Sequence, residues 1–141
     1  MRTSGLWHAE LVQLIVSLRH HDTLVIADAG LPVPDGVRTI DLGWARGEPP
    51  MLPVLGAVMA ELVVERAVVA TETHDAFLEL MQEQLRGVPV EFTSHDELKA
   101  CCAGARAVVR TGEDTPYANV ILHAGVPFGA TQPAVTGAMT R

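Results

Sequence analysis

The sequence predicts an α/β fold: a single three-layer domain with a mixed, mostly parallel sheet flanked by helices. Three observations carry this expectation. Short apolar runs alternate with stretches of helical 3–4 spacing along most of the 141 residues. Gly and Pro clusters punctuate the boundaries between them. The last two apolar runs, 107–110 and 119–124, have no helical stretch between them, so a hairpin or a mixed sheet edge is expected there.

The elements follow in order. Leu11, Leu14, Ile15 and Leu18 mark an amphipathic helix over about residues 8–18. Thr23 to Ala29 is a short apolar run before Gly30 and reads as a buried strand. Leu31 to Gly36 (LPVPDG) breaks regular structure, and Val37 to Leu42 resumes as a strand. Pro49 and Pro50 open a helix with Leu52, Leu55, Val58, Met59 and Leu62 on one face. Ala67 to Ala70 forms a third strand core. Asp75 to Leu85 is a helix expected to turn Ala76, Leu80 and Phe77 inward, closed by Gly87. Val88 to Phe92 alternates as a strand. Ser94 then caps a helix from His95, with Glu97 three positions on completing a capping-box pattern. Residues 1–128 form the domain. The tail, 129–141, lacks periodicity and is expected to be flexible.

Composition bounds the function. The chain is 48% hydrophobic and 19% charged, which excludes intrinsic disorder. A domain of this length buries roughly two-thirds of its unfolded surface, enough for a real core. The net charge is −7 and Lys99 is the one lysine, so the basic face that nucleic acid requires is missing. No apolar run reaches membrane-spanning length and no signal peptide is visible, so neither a membrane nor export is expected and the chain reads as cytoplasmic. Cys101 and Cys102 are adjacent, a spacing that disulfide geometry disfavours, and read as reduced thiols.

Motifs for nucleotide cofactors (GxGxxG, GxxxxGK[ST]), for metals (CxxC, HExxH) and for a serine nucleophile (GxSxG) are all absent. Chemistry is left to polar residues at strand ends, where α/β sheets usually bind ligands. Three His-Asp dipeptides, His21-Asp22, His74-Asp75 and His95-Asp96, suggest metal ligation, but Asp at a helix start is ordinary capping chemistry, and no metal is expected. His20 closes the first helix just before a buried strand. It reads as a helix-terminus partner or as an acid/base group titrating near working pH. Asp22 either orients it or caps the turn. Asp28 interrupts an apolar strand, where a carboxylate needs partners or a ligand hydroxyl. Tyr117 and Asn119 are two apart, so strand alternation would point both the same way, toward a polyhydroxy ligand. His95 stands where a strand end meets a helix start.

Two blocks carry a resemblance: Leu18 to Pro34 (LRHHDTLVIADAGLPVP) and Val109 to Leu122 (VRTGEDTPYANVIL), supported by Arg38 to Leu42 and Ser94 to Lys99. With them the chain resembles the D-ribose pyranase family, over residues 1 to about 128. L-fucose mutarotases are a sister family of the same fold, but Ala29-Gly30-Leu31-Pro32 and Pro116-Tyr117-Ala118-Asn119 side with the ribose branch. The resemblance implies interconversion of pyranose and furanose D-ribose without redox step or cofactor. It implies His20 as proton donor, and Asp28, His95, Tyr117 and Asn119 as sugar-binding residues, with Asp22 and His21 as possible auxiliaries. It further implies self-association as a homopentamer or homodecamer, with sites at subunit contacts. Arg19 and His21 stand where the family usually has Gly and Thr, and the segment Ala70 to Asp75 is shorter than usual. A mutarotase for another sugar such as L-fucose, a non-catalytic sugar-binding accessory protein and a metal-dependent hydrolase are the competing readings.

Overall fold

The computed structural model describes residues 1–128; the tail expectation for 129–141 lies outside them. Four α-helices, α1 (Ala9–Ser17), α2 (Met51–Met59), α3 (Asp75–Leu85) and α4 (His95–Cys101), flank six strands. The strands are β1 (Thr23–Ala27), β2 (Arg38–Asp41), β3 (Val64–Ala70), β4 (Val90–Thr93), β5 (Ala107–Arg110) and β6 (Val120–Ala124). They form one sheet in the order β2-β5-β1-β6-β3-β4. All run the same way except β6, which lies antiparallel between β1 and β3.

The mixed sheet is as expected, but the hairpin is not formed. β5 and β6 are consecutive yet separated by β1, and the antiparallel strand is central rather than at an edge. The reason is burial. Val120, Ile121 and Leu122 are apolar on both faces, which suits a strand covered on two sides and not a rim.

The two sheet faces are filled differently. Leu24, Ile26, Val69, Val109, Val120 and Leu122 meet the apolar sides of α1, α2 and α3. The opposite face, with Val25, Ala27, Val108 and Ile121, packs on Leu98, Cys102 and Leu31. In α3 the inward side is Met81 and Leu85, with Phe77 and Leu78 half-buried. Ala76 and Leu80 face out, against expectation. The side of α3 holding the largest apolar volume wins the core, and Leu80 lies off that stripe.

Helix ends are built from neighbours as well as from local caps. Ser94 Oγ accepts from Glu97 N at 3.1 Å, as its capping pattern predicts. Pro50 has no side-chain oxygen to cap α2. The buried Glu113 carboxylate does so instead, accepting from Met51 N at 2.9 Å. That bond ties the loop after β5 to the start of α2. No helix among the described residues is long and apolar enough to cross a membrane.

Candidate functional site

Because five strands share one direction, their ends make a common carboxyl edge, and the start of β6 lies there too. Asp28 follows β1 at this edge, and Asn119 precedes β6 directly beside it. Asn119 is fully buried. Its Oδ1 accepts from Asp28 N at 2.8 Å, and its Nδ2 donates to Asp28 Oδ2 at 3.1 Å. Asp28 Oδ1 accepts from Gly30 N at 3.0 Å. The half-buried carboxylate is therefore held from two sides, and each oxygen retains capacity for another donor.

Farther along the same edge, the rings of His95 and Tyr117 meet edge to face, with centroids 4.9 Å apart. Tyr117 is not in the strand. It adopts φ 59°, the left-handed region, so the alternation that would align it with Asn119 does not apply. Thr73 holds it there, Oγ1 donating to Tyr117 O at 3.0 Å. Glu72 holds His95: its carboxylate accepts from His95 N at 2.9 and 3.1 Å. Hydrogen bonds from Thr71 and from the His95 backbone keep the Glu72 carboxyl below the usual carboxylate range. His95 Nδ1 is buried without a protein partner.

Asp28, Asn119, His95 and Tyr117 thus gather at one edge, as two pairs. His20 does not join them. It precedes β1 and lies at the opposite edge, separated by the length of that strand, roughly 17 Å at the usual rise. There its Nε2 meets Glu65 Oε2 at 3.0 Å, its ring stacks on His21 with centroids 3.7 Å apart, and His21 Nδ1 lies 3.5 Å from Glu65 Oε1. Asp22 does not orient His20. It caps the turn, accepting from Arg19 N at 2.8 Å, and pairs with Arg106 at 2.9 Å. Arg19 finds its room outside, donating from Nη1 to Val16 O and Leu18 O at the end of α1.

One group of possible metal ligands occurs among the described residues: His20, His21 and Glu65, with ligand atoms within 4.8 Å of one another. Their two rings lie within 18° of parallel. A cation must sit near the plane of each ligating imidazole, at roughly 2 Å from its nitrogen, so sharing one ion would require a ring to turn.

Two cavities, of about 420 and 400 Å³, are lined by other residues. The first lies on the sheet face beside α4, between Arg66, Glu91, Cys101 and His123. The second borders the carboxyl edge at Asp41, Trp44, Arg46 and Arg110. Sequence reasoning passed over Glu65, Glu72, Thr73 and Glu113. Only Glu113 had a local signal, its place in the Arg110-Thr111-Gly112-Glu113 block; the others act through contacts distant in sequence.

Comparison with known proteins identifies the family and the fold. A model of the RbsD / FucU transport protein family matches residues 1–127. The D-ribose pyranase of Geobacillus kaustophilus is 47% identical over 133 residues, covering 92% of this chain and 98% of that protein. The structure of Bacillus subtilis RbsD complexed with D-ribose superposes with a TM-score of 0.86 at 39% identity, covering 91% of this chain and all of the other. The fucose mutarotase of Streptococcus pneumoniae, solved with L-fucose, shares the fold at 18% identity and a TM-score of 0.73, over 86% of this chain and 99% of its own. From its first residue to the end of the described fold, this chain belongs to the RbsD / FucU family.

Proposed function

We propose that this chain is an isomerase that interconverts the pyranose and furanose forms of D-ribose. One observation carries the reading. In a chain 47% identical to a D-ribose pyranase over nearly its whole length, the Asp28–Asn119 clamp and the His95–Tyr117 pair share one sheet edge. A carboxylate, an amide, a phenol and an imidazole are donors and acceptors suited to a polyhydroxy ring.

Ring interconversion needs little machinery. A proton leaves the anomeric hydroxyl and another reaches the ring oxygen. The hemiacetal C–O bond breaks to give the open aldehyde, the chain rotates, and a different hydroxyl closes on the carbonyl. No electron is lost and no cofactor enters the balance. In this reading Asp28 and Asn119 orient hydroxyls, Tyr117 shares a hydroxyl hydrogen bond, and His95 binds or carries the second proton. His20 gives the proton to the ring oxygen. Since His20 and the clamp occupy opposite edges of one copy, the reading requires His20 of a second copy to meet the carboxyl edge of the first. A homopentamer or homodecamer provides such contacts by symmetry. The exposed apolar side chains of Val16, near His20, and Trp44, at the carboxyl edge, offer surface for them. The free thiols suit a cytoplasmic setting.

The test is ribose ring-form exchange measured by NMR saturation transfer, run across pentoses and 6-deoxyhexoses. The wild-type chain accelerates ribose exchange, and His20→Ala lowers the rate by about 10²–10⁴-fold. Exchange that stays fast in His20→Ala removes that residue from the mechanism. Ribose binding without faster exchange makes the chain a sugar-binding accessory protein instead. A preference for a 6-deoxyhexose moves it to the mutarotases.

A further inference from the structure

We propose that Glu65 is the positioning residue for His20: its carboxylate holds the imidazole proton on Nε2 and leaves Nδ1 as the nitrogen that serves the sugar. The inference rests on the reading of His20 as proton donor.

The backbone is built to aim this side chain. Along the β3–β6 ladder Val64 pairs with Ala124 and Arg66 pairs with His123, so Glu65 is an extra, unpaired residue. A β-bulge of this kind breaks the alternation and redirects the bulged side chain. Gly125 accommodates it. Gly125 N donates to Val63 O at 2.9 Å, and a Cβ on Gly125 would come within 3.3 Å of Glu65 Cβ. The same end of β6 holds the histidine turn. His21 N donates to Ala124 O at 3.0 Å, and Ala124 N donates to Asp22 O at 2.8 Å. Two segments distant in sequence are thereby locked to one strand end, with Glu65 facing both imidazoles.

His21 completes the arrangement at a cost. Its φ of 74° is left-handed, which a non-glycine residue adopts at about 1–2 kcal/mol. In return its ring stacks on that of His20 and its Nδ1 meets the second carboxylate oxygen. The His20 hydrogen bond, seconded by the charges of His20, His21 and Arg66 and opposed by partial desolvation, holds the Glu65 carboxyl below its ordinary value. Glu65 is therefore ionised at neutral pH and can only accept. The proton in the 3.0 Å contact must then sit on His20 Nε2. Nδ1 is left unprotonated in the neutral ring and is the second N–H of the imidazolium, so proton transfer to substrate runs through Nδ1. The logic is that of a carboxylate holding a catalytic imidazole in one tautomer.

The experiment reads the tautomer directly. Ring nitrogens of His20 are assigned by long-range ¹H–¹⁵N correlation in the full chain, at about pH 8.5, well above the usual histidine range. The wild-type ring is the Nε2–H tautomer. Glu65→Gln keeps it, because the amide oxygen still accepts, and Glu65→Ala gives a tautomer mixture. In the exchange assay Glu65→Ala lowers kcat about tenfold with little change in KM, and Glu65→Gln recovers part of the loss. An Nδ1–H tautomer in the wild type, or a tautomer ratio indifferent to Glu65→Ala, overturns the proposal. Because the tautomer is read without substrate, a chain inactive on ribose sinks the pyranase reading and leaves the role of Glu65 to be decided by this spectrum.

Discussion

Replacing Asn119 with alanine removes the clamp on Asp28, and its effect can be worked from two distances. The fully buried amide accepts from Asp28 N at 2.8 Å and donates to Asp28 Oδ2 at 3.1 Å. Loss of the first bond leaves a backbone N–H without its partner, which costs about 1–3 kcal/mol. Loss of the second removes a bond to an ionised group, worth roughly 1.5–3 kcal/mol, less what water recovers at the half-buried carboxylate. The sum is near 3 kcal/mol, or roughly 10 °C in Tm for a domain of this size. The assay is urea unfolding followed by circular dichroism, at fixed protein concentration because association adds to apparent stability. A companion Asp28→Ala and the double variant close a cycle, and the side-chain bond appears there as a coupling of about 1–2 kcal/mol. A loss below about 1 kcal/mol in Asn119→Ala, or a coupling near zero, would show that water serves Asp28 as well as Asn119 does. The clamp would then be no reason for the conformation of this edge.

Three further outcomes follow from other contacts. Gly112→Ala places a methyl group against the Glu48 backbone, in collision with its carbonyl oxygen. That backbone must move, and thermal unfolding should show a loss of about 2 kcal/mol or more. Glu113→Ala leaves Met51 N uncapped and Thr115 without its acceptor. A loss of about 2 kcal/mol is expected by denaturant titration, together with slower ribose exchange because the same loop carries Tyr117; Glu113→Gln restores part of both. Burial pushes the Cys102 thiol up to about 11, whereas Cys101 is exposed. Below that value Cys102 stays a thiol, and the thiolate is the reactive form. A thiol reagent at about pH 8 should therefore titrate one cysteine in the folded chain and the second only in denaturant. Rapid reaction of both would contradict the burial.

The elements and most of the candidate residues are legible in the amino-acid order, because both depend on local chemistry. Leu11, Leu14 and Ile15 mark α1 by spacing alone, Ser94 caps α4, and Asp28 stands out as a charge in an apolar strand. What those residues meet depended on pairing between distant segments. The position of β6 between β1 and β3 replaced the expected hairpin, since its apolar residues demanded cover on both faces. That same placement put Asn119 against Asp28, 91 residues away. Leu80 lies outside the core because periodicity defines an apolar stripe only loosely, and the neighbouring helix and sheet select which side of α3 is buried. Only the tertiary structure placed His20 at the far edge and brought a bulged Glu65 to it. Proximity in sequence could not reveal this, because a strand carries its two ends to opposite sides of the sheet.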